Sequence, residues 1–411
     1  MTNTYFPLDP TTVIDYVRTR PELMDIFRAG EALESVEVGD GNLNLVFKVW
    51  AAADAERTVV VKQALPYVRL VGESWKLPTE RARIEAQALA VQARLCPEHT
   101  VHVYYFDPVM FCTVMRNLTR HVIMRRGLME GITYPKFGQH IGTFMGRTLA
   151  GTSDLVLDYK TKKEQVARFI NPELCKISED LVFTEPYRYT ERNLFHKELE
   201  PQVVALQADA DLRVEVAQMK AQFMTHAQAL LHGDLHTGSI MINQDETICI
   251  DPEFAFYGPI GFDVGAVIAN LFLSYASHEV RTKDAAARAA FRSYLTDTVI
   301  ELWAVFAREF AALAWANADS IDLPTAYRDR YLLQLLQDTA GFAACKIMRR
   351  VIGLAGVADI RGIEDVHERA IAGSLALNMA IPLIKGRRDV RTIADVVALA
   401  TAARVTYPFG S

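Results

Sequence analysis

The sequence predicts an α+β protein in two lobes, a small β-rich one followed by a large helical one. Three observations carry that expectation. Five strand-like patterns with one helix among them precede residue 117, almost every later pattern repeats at helical spacing, and one short hairpin interrupts the helices. The expected division puts residues 1–117 in the first lobe and 118–411 in the second, hinged near Met115-Arg116-Asn117-Leu118.

Residues 9–30 read as an amphipathic helix entered through Asp9-Pro10-Thr11-Thr12, with Val13, Tyr16, Val17 and Leu23 on its apolar side. Strand patterns follow at 33–38, 45–51, 58–64, 101–106 and 110–115, and 79–95 sets Ile84, Ala88, Val91 and Leu95 on one helical face. Beyond Asn117, helical spacing covers about 138–151, 161–169, 171–184, 198–230, 263–277, 284–317, 324–353, 364–381 and 390–403. The one strand signal there is a hairpin, Ile240-Met241-Ile242 and Thr247-Ile248-Cys249-Ile250, turning through Asn243-Gln244-Asp245-Glu246.

The chain has 411 residues, 50% of them hydrophobic and 23% charged, as in an ordinary soluble protein with room for two to three domains and a large core. Its formal net charge of -6 argues against a nucleic-acid partner, since phosphate backbones select basic surfaces. The five cysteines (Cys96, Cys112, Cys175, Cys249 and Cys345) are scattered, odd in number and lack a C-x-x-C pair. A disulfide framework or zinc site is therefore not expected, and a reducing, cytoplasmic setting is. The first residues show neither a basic n-region nor an apolar h-region. The apolar runs 264–277 and 371–384 fall short of the roughly 18 residues of a membrane span. They read as buried core helices, and no membrane partner is expected.

Candidate chemistry centres on His232-Gly233-Asp234-Leu235-His236, followed across the hairpin by Asp251-Pro252-Glu253. The hairpin brings its two acidic arms together. Asp234 can then act as general base toward a substrate hydroxyl, while Asp251 with Glu253 holds Mg²⁺ on a nucleotide. This is the catalytic-loop and metal-loop layout of kinase-like phosphotransferases, with His-Gly-Asp for His-Arg-Asp and no Asp-Phe-Gly. His232 is expected to brace the loop, His236 to be structural, and Asp263 to cap the next helix.

Gly39-Asp40-Gly41-Asn42-Leu43-Asn44 forms a turn between strands, where backbone N–H groups can cover phosphates. Lys62 lies in a β-branched run, as does the strand lysine that pairs nucleotide phosphates in kinases. The chain has no Gly-Lys dipeptide, which excludes a Walker A loop. A carboxylate partner for Lys62 could be Glu80 or Glu85, both on the helix that follows. Val114-Met115-Arg116-Asn117-Leu118 would connect the lobes, as a connector that offers backbone groups to adenine or, taken alone, as a strand end followed by a loop. Taken alone, Arg349-Arg350 at a helix C-terminus indicates dipole stabilisation and solvent exposure.

Together these motifs resemble the methylthioribose kinases, a branch of the choline and aminoglycoside kinase group within the protein-kinase-like fold. The resemblance spans nearly the whole chain. It rests on Gly39-Asp-Gly-Asn-Leu-Asn-Leu-Val46, Val61-Lys-Gln-Ala-Leu-Pro-Tyr-Val-Arg69, Gly72-Glu-Ser-Trp75, Leu231-His-Gly-Asp-Leu-His-Thr-Gly-Ser-Ile240, Ile250-Asp-Pro-Glu-Phe-Ala-Phe256 and Met348-Arg-Arg350. Ser239, where the aminoglycoside and choline kinases carry Asn, and Asp-Pro-Glu set this branch apart.

The resemblance implies ATP-dependent phosphorylation of the 1-hydroxyl of S-methyl-5-thioribose in methionine salvage, by a homodimer. It implies Asp234 as base and sugar ligand, and Asp251, Pro252 and Glu253 at the nucleotide, with Asp251 and Glu253 on Mg²⁺. Gly41, Asn42, Asn44 and Lys62 would contact ATP phosphates, and Arg116, Asn117 and Leu118 would border adenine. Arg349 and Arg350 would act on the substrate and the transferring phosphate, against their reading in isolation. Trp75 would lie in a loop that closes over nucleotide. One departure is Met115-Arg116-Asn117-Leu118, where related kinases have Met-Glu-Asp-Leu, so only backbone roles carry over. Two rival readings are a choline- or aminoglycoside-like kinase, whose cationic substrate the arginine pair disfavours, and a non-catalytic nucleotide-binding scaffold. Against the scaffold stand Lys62, Asp234, Asp251 and Glu253, all present together.

Overall fold

The computed structural model describes residues 4–39, 43–69, 72–316 and 324–405, and within them every side chain but that of Glu73. The chain is two-lobed and α+β. An antiparallel five-stranded sheet has the order Leu33–Glu37, Asn44–Ala51, Asp54–Ala64, Cys112–Arg116, Val103–Asp107. Its period-2 alternation decides which residues face the cleft. Val59 and Val61 point with Phe47, Val49 and Val114 into a core closed by Val13, Tyr16 and Val17. Lys62 lies opposite Val46 and Thr113 and takes the other face, against the helix Arg81–Leu95.

Several elements differ from expectation. The helix expected at 9–30 is confined to Thr12–Arg18, followed by a 3-10 turn at Pro21–Leu23. Pro21 holds Arg20 extended at φ -98° and ψ 112°, which stops the helix. A two-stranded ribbon, Tyr67–Val68 with Gly72–Lys76, carries Trp75. Trp75 packs with Leu43, Leu77, Leu174 and Ile177, so it bridges the two lobes.

In the second lobe, the helix expected over 198–230 is three pieces: Lys197–Leu199, Glu200–Ala208 and Ala210–Thr225. Asp209 leaves helical geometry at ψ 104° and caps the last piece by accepting from the Leu212 amide at 3.0 Å. The chain then extends, and Ala229–Leu230 pairs with Tyr257–Gly258. The hairpin Ile240–Ile242 with Thr247–Cys249 forms and gains a third strand, Val122–Ile123, so it is not the only β-structure in this lobe.

The helix Ile260–Arg281 runs through the middle of the lobe, and 94% of its most apolar stretch is buried. Its length and composition alone would suffice to cross a membrane, but its surroundings are those of a core helix. It packs on Ala285–Ala314, Thr325–Ile352 and Val366–Gly386. At Gly265 a Cβ would come within 2.8 Å of the Ala343 amide, so glycine is what lets these two helices meet backbone to backbone. That contact fixes where the end of Thr325–Ile352 lies relative to the catalytic loop. The cysteines Cys96, Cys112, Cys175, Cys249 and Cys345 are all free.

Candidate active site

The acid-rich half of the site is assembled from the sheet, the helix Arg81–Leu95 and the segment after the hairpin. Lys62 Nζ donates to Glu85 Oε1 at 2.8 Å and also to Asp251, so Glu85 is its helix partner. Glu80 pairs with Arg83 instead. Asp251 has φ +69°, a left-handed conformation that costs a non-glycine residue roughly 1–2 kcal/mol. The bend it makes sets Asp251 and Glu253 on the same cluster, since an ordinary strand would point i and i+2 straight along one face. Carboxylate oxygens of Glu85, Asp251 and Glu253 lie within 4.8 Å of one another.

Glu253 is buried, and it accepts from Asn44 Nδ2 at 3.0 Å with Arg81 Nε 3.3 Å away. Arg81 in turn donates to Asn44 Oδ1 at 2.9 Å. Asn44 thus lies in the cleft, and its side chain is committed to the metal-loop glutamate. Burial raises the carboxyl of Glu85 and that of Glu253. Burial works against the Lys62 charge, but Asp251, Glu85 and Glu253 outweigh it and hold the ammonium above its ordinary value. Three carboxylates thus face two cations, Lys62 and Arg81. Hard oxygen ligands with negative charge to spare fit Mg²⁺, and the Asp251 side chain, 42% exposed, is open to the cleft.

The base-rich half surrounds Asp234. His232 and Gly233 donate their amides to Asp263 Oδ2 and Oδ1 at 2.6 and 3.0 Å. Asp263 sits inside the first turn of Ile260–Arg281, whose N-cap position is Pro259, so it clasps the catalytic loop rather than capping the helix. His232 Nε2 bonds the Ile250 carbonyl at 2.9 Å, and the Ile250 amide donates to Ser239 O at 3.0 Å. The residue before Asp251 is thereby tied on both sides to the loop that holds Asp234. Gly233 has φ +84°, and a Cβ there would meet the Phe254 carbonyl oxygen at 2.1 Å.

His236 proves to be more than structural. The Gly238 amide donates to its Nδ1 at 3.0 Å, which puts the ring proton on Nε2, 3.3 Å from Asp234 Oδ2. Burial holds the imidazole down to about 3, so this is a neutral donor. Arg350 Nη2 stands 3.7 Å and Lys346 Nζ 3.9 Å from Asp234 Oδ1. Burial would raise the Asp234 carboxyl, but His236, Lys346 and Arg350 outweigh it and hold it well below the usual range.

Arg349 and Arg350 are buried, each donating an Nη1 to the Ala355 carbonyl at 3.1 Å, which rules out the solvent-exposed reading. Lys346 lies 3.9 Å over the Phe262 ring. Burial lowers its ammonium to about 7, helped by Arg349 and Arg350 and opposed by Asp234.

The connector residues are placed unevenly. Arg116 is exposed and its amide donates to His102 O at 2.9 Å within the sheet. Asn117 Nδ2 donates to Thr58 Oγ1 at 3.1 Å, and Leu118 packs with Leu89, Met115 and Ile248. Pro252 follows the bend at Asp251. Gly41 and Asn42 lie outside the described residues. Lys346, His236, Asp263 and Arg81 were not anticipated as site residues. Lys346 alone had a sequence signal, since it precedes Arg349 and Arg350 by three and four positions on one helical face.

Residues 36–298 match the phosphotransferase enzyme family. A methylthioribose kinase of Geobacillus kaustophilus is 45% identical over 94% of this chain and 94% of its own. Methylthioribose kinase 1 of Oryza sativa subsp. japonica is 40% identical over 95% and 94%. Among solved structures, an ethanolamine kinase of Plasmodium vivax aligns with a TM-score of 0.48 at 13% identity, over 92% of this chain and 91% of its own.

Proposed function

The chain belongs to the phosphotransferase enzyme family and, within it, to the methylthioribose kinases, and from that premise we propose how its own residues carry the reaction. It phosphorylates methylthioribose at the expense of ATP, a role consistent with methionine salvage. The observation that supports the assignment of roles is the setting of Asp234, kept ionised by His236, Lys346 and Arg350 on a loop bonded to the residue before Asp251.

In this reading residues 1–117 form the nucleotide lobe and residues 118–411 the sugar lobe. Asp234 accepts the proton of the sugar's 1-hydroxyl as that oxygen attacks the γ-phosphorus, and the P–O bond to ADP breaks. His236 keeps the carboxylate aimed. Lys62, oriented by Glu85, meets the nucleotide phosphates. Backbone groups of Arg116 to Leu118 border adenine. Asp251 and Glu253 would hold Mg²⁺, which would supply positive charge at the nucleotide phosphates. Arg349 and Arg350 receive the charge of the phosphoryl group as it reaches the sugar, where fixed cations in a dry site are most effective. We further propose a cytoplasmic homodimer. Five unpaired cysteines support a reducing compartment, and the family resemblance supports the dimer.

A coupled ADP-release assay with methylthioribose, ribose and choline tests the reading. Turnover should be high with methylthioribose, weak with ribose, which lacks the methylthio group, and negligible with choline, whose cation would face Lys346, Arg349 and Arg350. Preference for choline would overturn it, and nucleotide binding without transfer to any of the three would favour the scaffold.

A further inference from the structure

Of Lys346, Arg349 and Arg350, only the lysine makes no hydrogen bond among the described residues. Each arginine gives an Nη1 to the Ala355 carbonyl at 3.1 Å. The Nζ of Lys346, a residue 3% exposed, lies 3.9 Å from the centre of the Phe262 ring and 3.9 Å from Asp234 Oδ1. Both exceed the roughly 2.7–3.2 Å of a hydrogen bond. An ammonium carries three donors, and burying them unmet is costly unless a ligand brings the acceptor.

The fold fixes the gap between this ammonium and the carboxylate. Lys346 stands one turn before Arg350 on Thr325–Ile352, three residues past Ala343, whose amide lies against Gly265. Phe262, beside the ammonium, immediately precedes Asp263, which accepts from the His232 and Gly233 amides. One end of the helix Ile260–Arg281 therefore places both the lysine and the loop of Asp234. His236 already meets Asp234 Oδ2, whereas Oδ1 faces Lys346 at 3.9 Å and Arg350 at 3.7 Å. One oxygen atom fits between: at about 2.8 Å from Oδ1 and from Nζ it closes a triangle on the 3.9 Å base. The Asp234 side chain is 23% exposed, so a substrate hydroxyl can reach it. The reacting hydroxyl is the one that must.

We propose that Lys346 is a catalytic residue that donates a hydrogen bond to the 1-oxygen of the sugar while Asp234 Oδ1 accepts the proton of that oxygen. The inference rests on the reading that Asp234 is the base. As the 1-oxygen bonds to the γ-phosphorus and the P–O bond to ADP breaks, its proton passes to Asp234 and Lys346 keeps its own. The lysine steadies the negative charge that grows on the attacking oxygen, from a position the protein has set in advance. A lysine suits this place, since its compact charge turns freely toward one atom where the planar arginine fork would not.

The experiment is a cycle between side chain and hydroxyl. Calorimetry with ADP present measures the binding of methylthioribose and of its 1-deoxy form to the wild-type chain, Lys346→Met and Asp234→Asn. A buffer at about pH 6.5 keeps the Lys346 charge. The wild type should bind the 1-deoxy form about a hundredfold more weakly, and each variant only about tenfold more weakly, because one of two partners of that hydroxyl is already gone. Lys346→Met should also lower kcat about tenfold and leave the KM for ATP in place. If Lys346 only supports the fold, its variant will show the full hundredfold loss while Asp234→Asn does not, which overturns the proposal and leaves the base standing. A full loss in both variants overturns the base as well. Should Lys346→Met not fold, Lys346→Gln, whose amide stops short of the oxygen, takes its place in the same comparison.

Discussion

The two halves of the cleft are charged in opposite senses. On one side Glu85, Asp251 and Glu253 outnumber Lys62 and Arg81, and on the other Lys346, Arg349 and Arg350 outnumber Asp234. The first half has negative charge to spare for a cation, and the second has positive charge to spare for an anion. A phosphoryl group moving from ATP to a neutral sugar leaves a cation-rich environment and needs another on arrival, and the chain carries only the second as side chains. The halves also differ in origin. The acid-rich half gathers short motifs, while the base-rich half depends on a helix more than a hundred residues downstream in the chain.

Removing the one acid from the base-rich half breaks the contrast most severely. Asp234→Asn should lower kcat by about 10²–10⁴-fold in the ADP-release assay while calorimetry finds nucleotide binding intact. Retained turnover would reassign the base. Lys62→Met attacks the other half, where it should lower kcat/KM for ATP about a hundredfold and leave sugar affinity alone. It also strands Glu85 among Asp251 and Glu253, so chemical denaturation should show a loss of about 3 kcal/mol.

Asp263→Asn loosens the link between the halves, because an amide cannot accept from the His232 and Gly233 amides with both atoms. A fall in kcat of about tenfold, with about 1–2 kcal/mol of stability lost, is expected. The smallest effect concerns pH. The Asp234 pKa lies below its ordinary value, so its ionisation stabilises the fold at neutral pH and is lost only as pH falls through that low value. It should put no acid limb on kcat between pH 5 and 7. The Lys346 pKa is lowered to about 7, so its charge beside Asp234 is present below that pH and lost above it. The rate should decline a few-fold through that range, and Lys346→Arg should move the decline upward. Superimposable profiles would remove Lys346 from the site.

The sheet, the hairpin and the acidic motifs were legible in the sequence because their signals are local. Strands alternate every second residue, and His-Gly-Asp and Asp-Pro-Glu carry their chemistry within a few positions. What the sequence hid was packing. Asp263 looked like a cap because it stands near a helix start, and only the fold turns it onto two loop amides. His236 looked structural because nothing in its spacing shows which ring nitrogen meets Asp234. The break at Asp209 was hidden by apolar spacing that continues across it, whereas Pro21 could have flagged the end of the first helix.

The clasp by Asp263 has a dynamic consequence. Active-site loops ordinarily exchange their amide protons readily, because they open without the rest of the protein. Here the His232 and Gly233 amides are secured to the most deeply enclosed helix of the molecule, so they should trade deuterium only when that helix does. The proton acceptor would then inherit the rigidity of the protein's interior, leaving any opening of the cleft to the sheet-bearing side.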